Sequence, residues 1–126
     1  MTNGYPQKDY SCPTKRYVQI LELRDDPEMI ENYRKLHSEA SSWKEVREGI
    51  REVGILEMEL YILGTKVVMI VDAPLEFDWQ QAMDRLATLP RQAEWEATVA
   101  KMQGCDEHAR SDEKWQMMER FFHLYC

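Results

Sequence analysis

An α+β fold of ferredoxin-like topology, with one antiparallel four-stranded sheet and helices on one of its faces, is predicted by three features of the sequence. A β-prone run comes first and is followed by two helical stretches; two further β-prone runs form a hairpin near the middle; and the helix-then-strand order recurs after it. The element order is thus strand, helices, strand, strand, helices, strand, two similar halves joined by the hairpin.

Residues 1–14 are polar, carry Pro6 and Pro13, and lack an apolar stretch, so they are expected to form a loose tail rather than a signal peptide. The rest, residues 15–126, is expected to form a single domain. The 126-residue length suits one domain, and a chain of this size buries roughly two-thirds of its unfolded surface without needing disulfides or a structural metal.

Lys15 to Leu23 (KRYVQILEL) is rich in β-branched and aromatic residues and ends at Arg24-Asp25-Asp26, which marks the first strand. Asp26 can cap the helix that follows, Pro27 suits its first position, and Glu28 complements its dipole. Met29, Tyr33, Leu36 and Ala40 recur at spacings of four, three and four and share one face. Ser42-Trp43-Lys44-Glu45 has the form of a capping box, Trp43, Val46, Ile50 and Val53 supply a second apolar stripe, and Gly54 is a natural stop.

Ile55 to Leu63 and Lys66 to Ala73 are separated by Gly64-Thr65, the pattern of a hairpin. Leu56, Met58, Leu60 and Ile62 alternate with Glu57, Glu59 and Tyr61, so one face is buried. Trp79, Ala82, Met83 and Leu86 mark a third helix; Pro90 starts a fourth, with Trp95, Val99 and Met102 on one stripe. A charged loop, Gly104 to Glu113, leads to a last strand, Trp115 to Tyr125, which is apolar on both sides. Such a sheet covers only one face with its own helices. A second copy of the chain is the economical cover for the other, so a homodimer is expected.

Net charge −7 and a pI near 5.0 argue against nucleic-acid and anionic-membrane partners. The longest apolar runs, such as Val67 to Val71, fall far short of the ~20 residues that span a bilayer. Cys12, Cys105 and Cys126 are odd in number and scattered, which fits a reducing cytoplasm and neither a disulfide framework nor a zinc site. A glycine-rich phosphate loop, a zinc-protease helix and a nucleophile elbow are all missing, so no cofactor and no metal is expected.

Tyr33 and His37 stand four apart on the first helix, where their side chains meet. Histidine exchanges protons near neutral pH, and a tyrosine hydroxyl both donates and accepts. An ordinary helix also produces this spacing, with the tyrosine in the core and the histidine exposed at the helix end. Glu57 and Glu59 share a strand face and could act as paired carboxylates, although a solvated face predicts them equally. Trp43, Trp79, Trp95 and Trp115 are core candidates, one of which could stack on a sugar ring. His108 and His123 lack neighbours at metal-ligand spacing.

From Lys15 to Leu124 the chain resembles the L-rhamnose mutarotase family of small dimeric α/β-barrel proteins. The resemblance rests on KRYVQILEL followed by a proline-initiated helix, Tyr-x-x-x-His at Tyr33 and His37, ELYILGTKVVMIVDAP in the hairpin, the Trp95 helix and the closing MERFFHLY. It implies an isomerase that interconverts the α and β anomers of a 6-deoxyhexose such as L-rhamnose or L-fucose without a cofactor, and the scattered cysteines place it in the cytoplasm as an expectation. It also implies His37 as catalytic proton donor and Tyr33 as a substrate contact, with Trp95 stacking on the sugar. The family's tandem tryptophans are represented by Trp95 between Glu94 and Glu96, its first tyrosine in strand two corresponds to Met58, and its Asn-Pro-Ile-Trp-Pro becomes Ser38 to Trp43. The general base stays open among Glu94, Glu96 and a water. A dimeric α/β-barrel oxygenase-like protein and a non-catalytic sugar-binding module are the rival readings; anomer exchange without oxygen consumption separates the three.

Overall fold

The computed structural model describes residues 3–38 and 43–125. In chain order the elements are β1 (Thr14–Glu22), α1 (Pro27–Leu36), α2 (Lys44–Glu52), β2 (Glu57–Leu63), β3 (Lys66–Pro74), α3 (Trp79–Leu86), α4 (Gln92–Gln103), α5 (Ser111–Lys114) and β4 (Gln116–Met117). The strands form one sheet in the order β2-β3-β1-β4 with every pair antiparallel, the ferredoxin-like arrangement.

Local chemistry sets the element ends. The Asp26 carboxylate accepts from the backbone N–H groups of Glu28 and Met29 at 3.0 and 3.3 Å, and Pro27 opens α1 as expected. Gly64 turns the β2–β3 hairpin at φ 62, a conformation costly for a residue with a Cβ.

The register divides the sheet into two unlike faces. Tyr17, Gln19 and Leu21 of β1 pair with Val71, Met69 and Val67, which pair in turn with Met58, Leu60 and Ile62 of β2. This set packs against Tyr33, Met83, Leu86, Val99 and Met102 from the helices to form the core. On the opposite face Val18 pairs with Ile70 and Ile20 with Val68. Arg16 there forks onto Asp72 at 2.7 and 3.0 Å, and the Tyr10 hydroxyl donates to the same carboxylate at 2.9 Å. The segment before β1 is thus in contact with the sheet: the Tyr5 ring also meets Tyr61 edge-on at 5.7 Å.

Several expectations need correction. The last strand does not run from Trp115 to Tyr125. Only Gln116 and Met117 pair with β1, and Phe121, Phe122, Leu124 and Tyr125 stand exposed. Beyond the bond from the Met118 N–H to the Val18 carbonyl oxygen, the described residues make no further pairing to β1, although that strand continues to Thr14. Helix α4 begins at Gln92 rather than Pro90, because Arg91 adopts a left-handed conformation with φ 64. Within the expected loop, Ser111–Lys114 makes one helical turn. Helix α1 closes at Leu36; Ala40 and the capping Ser42 lie outside the described residues. Among the described residues no helix is long and apolar enough to cross a membrane.

Candidate active site

The C-terminal end of α1 meets α4 over the helix-facing side of β2, and a cavity of about 390 Å³ opens there. That volume lies within the range of small-molecule sites. Tyr33, His37, Met58 and Trp95 all line it. Each arrives for a local reason. Tyr33 and His37 stand one turn apart on the same side of α1, Met58 belongs to the inward set of β2, and Trp95 comes from the first turn of α4.

The His37 ring folds back on its own helix, with Nδ1 2.6 Å from the Tyr33 carbonyl oxygen. A carbonyl can only accept, so Nδ1 carries a proton and Nε2 is the nitrogen free to exchange one. Burial lowers the His37 pKa from its ordinary 6.5, against the opposing pull of the Tyr33 carbonyl, and the charge of Arg47 lowers it further. At neutral pH the ring is therefore uncharged and Nε2 presents a lone pair. Aromatic neighbours hold it: the Tyr33 ring at 4.5 Å and Trp95 edge-on at 5.2 Å. Burial pushes the Tyr33 hydroxyl up to about 12, so it stays protonated, and it accepts from Gln103 Nε2 at 3.4 Å.

Trp95 in turn meets Trp43 edge-on at 5.3 Å, and the Arg91 guanidinium covers the Trp43 ring at 4.1 Å. Arg47 and Arg51 of α2 and Glu57 of β2 supply polar lining on one side of the cavity, and Gln92, Glu96, Gln103 and Ser111 from α4 and α5 supply it on the other, with Lys114 behind Glu96. Lys114 is fully buried and donates to Glu96 twice, at 2.6 Å to its carbonyl and 2.9 Å to its carboxylate, while Gln92 donates to the other carboxylate oxygen at 2.6 Å. Glu94, the other carboxylate weighed as a base, is exposed and paired with Arg91, and it lines a separate cavity under residues 107–112. That cavity is slightly larger, about 430 Å³, but contains none of Tyr33, His37, Met58 and Trp95.

Glu59 lies on the opposite sheet face and accepts from Tyr61, so it does not form a carboxylate pair in the cavity. Trp79 packs on Tyr17 away from the site, whereas Trp115 is buried at the cavity wall. His108 and His123 are exposed. Among the described residues, no group of three or more His, Cys, Asp or Glu is placed to hold a metal ion.

Sequence reasoning missed Gln103, Lys114 and Arg47. A signal existed for the first: Gln92, Glu96 and Gln103 follow one another at spacings of four and seven, a polar line along what proves to be the buried side of α4.

Comparison with known proteins bears on this geometry. Residues 16–124 match the family model for L-rhamnose mutarotase. The chain belongs to the L-rhamnose mutarotase family. Its members are isomerases acting on sugar anomers, and the chain is a sugar mutarotase of this kind. It is 30% identical to an L-fucose mutarotase of Xanthomonas campestris over 110 residues, 87% of this chain and 88% of that protein. It is 37% identical over 94 residues to a UPF0734 protein of Dictyostelium discoideum, covering 74% of each. The crystal structure of an L-rhamnose mutarotase from Formosa agariphila superposes with a TM-score of 0.64 at 13% identity, covering 87% of this chain and 98% of that one, a likeness of fold.

Proposed function

We propose that this mutarotase acts on a 6-deoxyhexose, L-fucose or L-rhamnose, with His37 as the group that moves the proton. The observation that carries the reading is the His37 ring, its Nδ1 tied to the Tyr33 carbonyl oxygen at 2.6 Å so that Nε2 is the nitrogen left to exchange a proton, in one cavity with Tyr33 and Trp95. Nε2 takes the proton of the anomeric hydroxyl as the bond between the anomeric carbon and the ring oxygen breaks, and the imidazolium gives it to the ring oxygen. The open-chain aldehyde rotates about its first carbon–carbon bond, and the reverse transfers close the other anomer. One proton leaves and one is delivered, so protons balance and no cofactor takes part. His37 is thus the donor only after it has been the acceptor. Tyr33 positions the sugar, Trp95 stacks on it, and Met58 lines its edge. Saturation-transfer NMR between the anomers of L-rhamnose, L-fucose and D-glucose tests the reading; unchanged exchange of both deoxy sugars on adding protein would refute it.

The working form in this proposal is a cytoplasmic homodimer. Val18, Ile20, Val68 and Ile70 form an apolar strip on the face away from the helices, and the exposed Phe121 and Phe122 follow the short β4. A second copy covers such surface by symmetry. The free thiols of Cys12 and Cys105 suit a reducing compartment.

A further inference from the structure

We propose that Gln103 determines specificity, its side-chain amide bonding one hydroxyl of the bound sugar while it holds the Tyr33 hydroxyl. The inference rests on the mutarotase reading and extends it to a residue outside the Tyr33, His37, Met58 and Trp95 set.

Among the described residues two buried side-chain polar atoms lack a hydrogen-bond partner, Gln92 Oε1 and Gln103 Oε1. Both residues sit on the wall of the cavity that holds His37. A buried acceptor left unpaired is destabilising, and folded proteins keep such atoms where something else completes the bond. The two are not equivalent. Gln92 is fixed by its 2.6 Å bond to Glu96 and also lines the neighbouring cavity. It lies eleven residues from Gln103, about 16 Å along the helix, which is longer than a pyranose ring.

Gln103 is 6% exposed and touches the proposed machinery directly, through the 3.4 Å bond from its Nε2 to the Tyr33 hydroxyl. Its terminal amide torsion is soft. Turned one way, Nε2 donates to Tyr33 and Oε1 is left over; turned the other, Oε1 accepts from Tyr33 and both N–H groups are left over. A sugar hydroxyl both donates and accepts, so it finds a partner in either arrangement. Met58 cannot do this work, because a thioether donates nothing and accepts weakly. Arg47, Arg51 and Glu57 also line the cavity, but among its polar residues Gln103 is the one bonded to Tyr33, so the link runs from the sugar through Gln103 to Tyr33 and on to His37.

The test compares wild type and Gln103→Met on the preferred 6-deoxyhexose and on its mono-deoxy analogues, each lacking one further hydroxyl. Gln103→Met is expected to raise KM for the parent sugar about tenfold, the scale of one lost hydrogen bond, with kcat within about twofold. One analogue, which wild type handles about tenfold less well than the parent, is expected to be handled as well as the parent by the variant. Full discrimination retained by the variant, or a loss in kcat with KM unchanged, overturns the proposal, the latter because it marks a residue acting through Tyr33 alone. A measurement on wild type guards against misfolding of the variant. The Gln103 side-chain amide resonances are expected to shift on saturation with the parent sugar and to shift less with that analogue. Exchange catalysed by wild type with unmoved amide resonances removes the proposal and leaves the mutarotase reading standing. Absence of exchange with any 6-deoxyhexose removes both.

Discussion

His37 Nδ1 lies 2.6 Å from the main-chain oxygen of Tyr33, four residues earlier in the same helix. The bond selects the tautomer of the ring from within its own helix, and Trp95 supports the ring edge-on from α4. His37→Asn keeps a polar side chain but has no nitrogen that titrates near neutrality. It is expected to lower kcat for anomer exchange by about 10²-fold or more with a near-native circular dichroism spectrum. Tyr33→Phe is expected to act more mildly, about 1 kcal/mol for one hydrogen bond. A folded His37→Asn protein with wild-type exchange rates is the result that displaces the assignment.

The pH dependence follows from the same residue. Burial lowers the His37 pKa below its ordinary 6.5, so the free protein keeps Nε2 unprotonated at and above that pH. Exchange kcat/KM is expected to be flat above about 6.5 and to fall as pH drops through the lowered value. Stability moves in the same sense. With the folded pKa depressed, the contribution of neutral His37 is complete above 6.5 and is lost as pH falls through the folded value. Melting curves of wild type and His37→Asn should therefore converge on acidification; a constant gap across this window would show that His37 does not titrate there.

Met58 lines the cavity from the inward set of β2. Met58→Tyr adds a hydroxyl and removes an adaptable thioether, and is expected to change the ratio of L-fucose to L-rhamnose rates more than the sum of the two. Identical ratios in both proteins would place the side chain outside the sugar's reach.

Lys114 is fully buried against Glu96, whose side chain is 10% exposed. Lys114→Met leaves that carboxylate without its cation and is expected to cost about 3–5 kcal/mol in urea unfolding. Adding Glu96→Gln should return much of the loss, because the remaining amide no longer needs a counter-charge. A double variant as unstable as the single one argues that Lys114 acts through packing of its stem.

Sedimentation at micromolar concentration is expected to show a species of twice the 15.0 kDa chain. Replacing Phe121 and Phe122 by Ser should shift it toward the single chain. A wild-type protein that sediments as one chain over this range contradicts the proposed assembly.

The sheet and its inward face were legible because alternation across Glu57–Leu63 and Lys66–Pro74 is a local signal, and the α1 start because Asp26 and Pro27 carry it in two adjacent residues. The Tyr33–His37 contact was legible for the same reason, being one helical turn long. The length of β4 was not. Alternation marks a segment able to pair but not how far pairing runs: β1 continues to Thr14, yet the chain after Met118 does not follow its edge. Nor was the polar wall. Lys114 reaches Glu96 across 18 positions and Gln103 reaches Tyr33 across 70, and periodicity in one helix says nothing of which distant group fills the space beside it.

Among the described residues Arg91 is the one non-glycine with a positive φ, and from that backbone its guanidinium spans Glu45, Glu94 and the face of Trp43. Glycine would take the same turn without steric cost, and the exposed ion pairs it would forfeit add little to folding. Heat tolerance and turnover are therefore set against each other at this position: relaxing the turn would harden the fold while uncovering the tryptophan that backs Trp95. A screen for thermotolerant variants should enrich Arg91→Gly, and the same clones should turn over sugar more slowly than their parent.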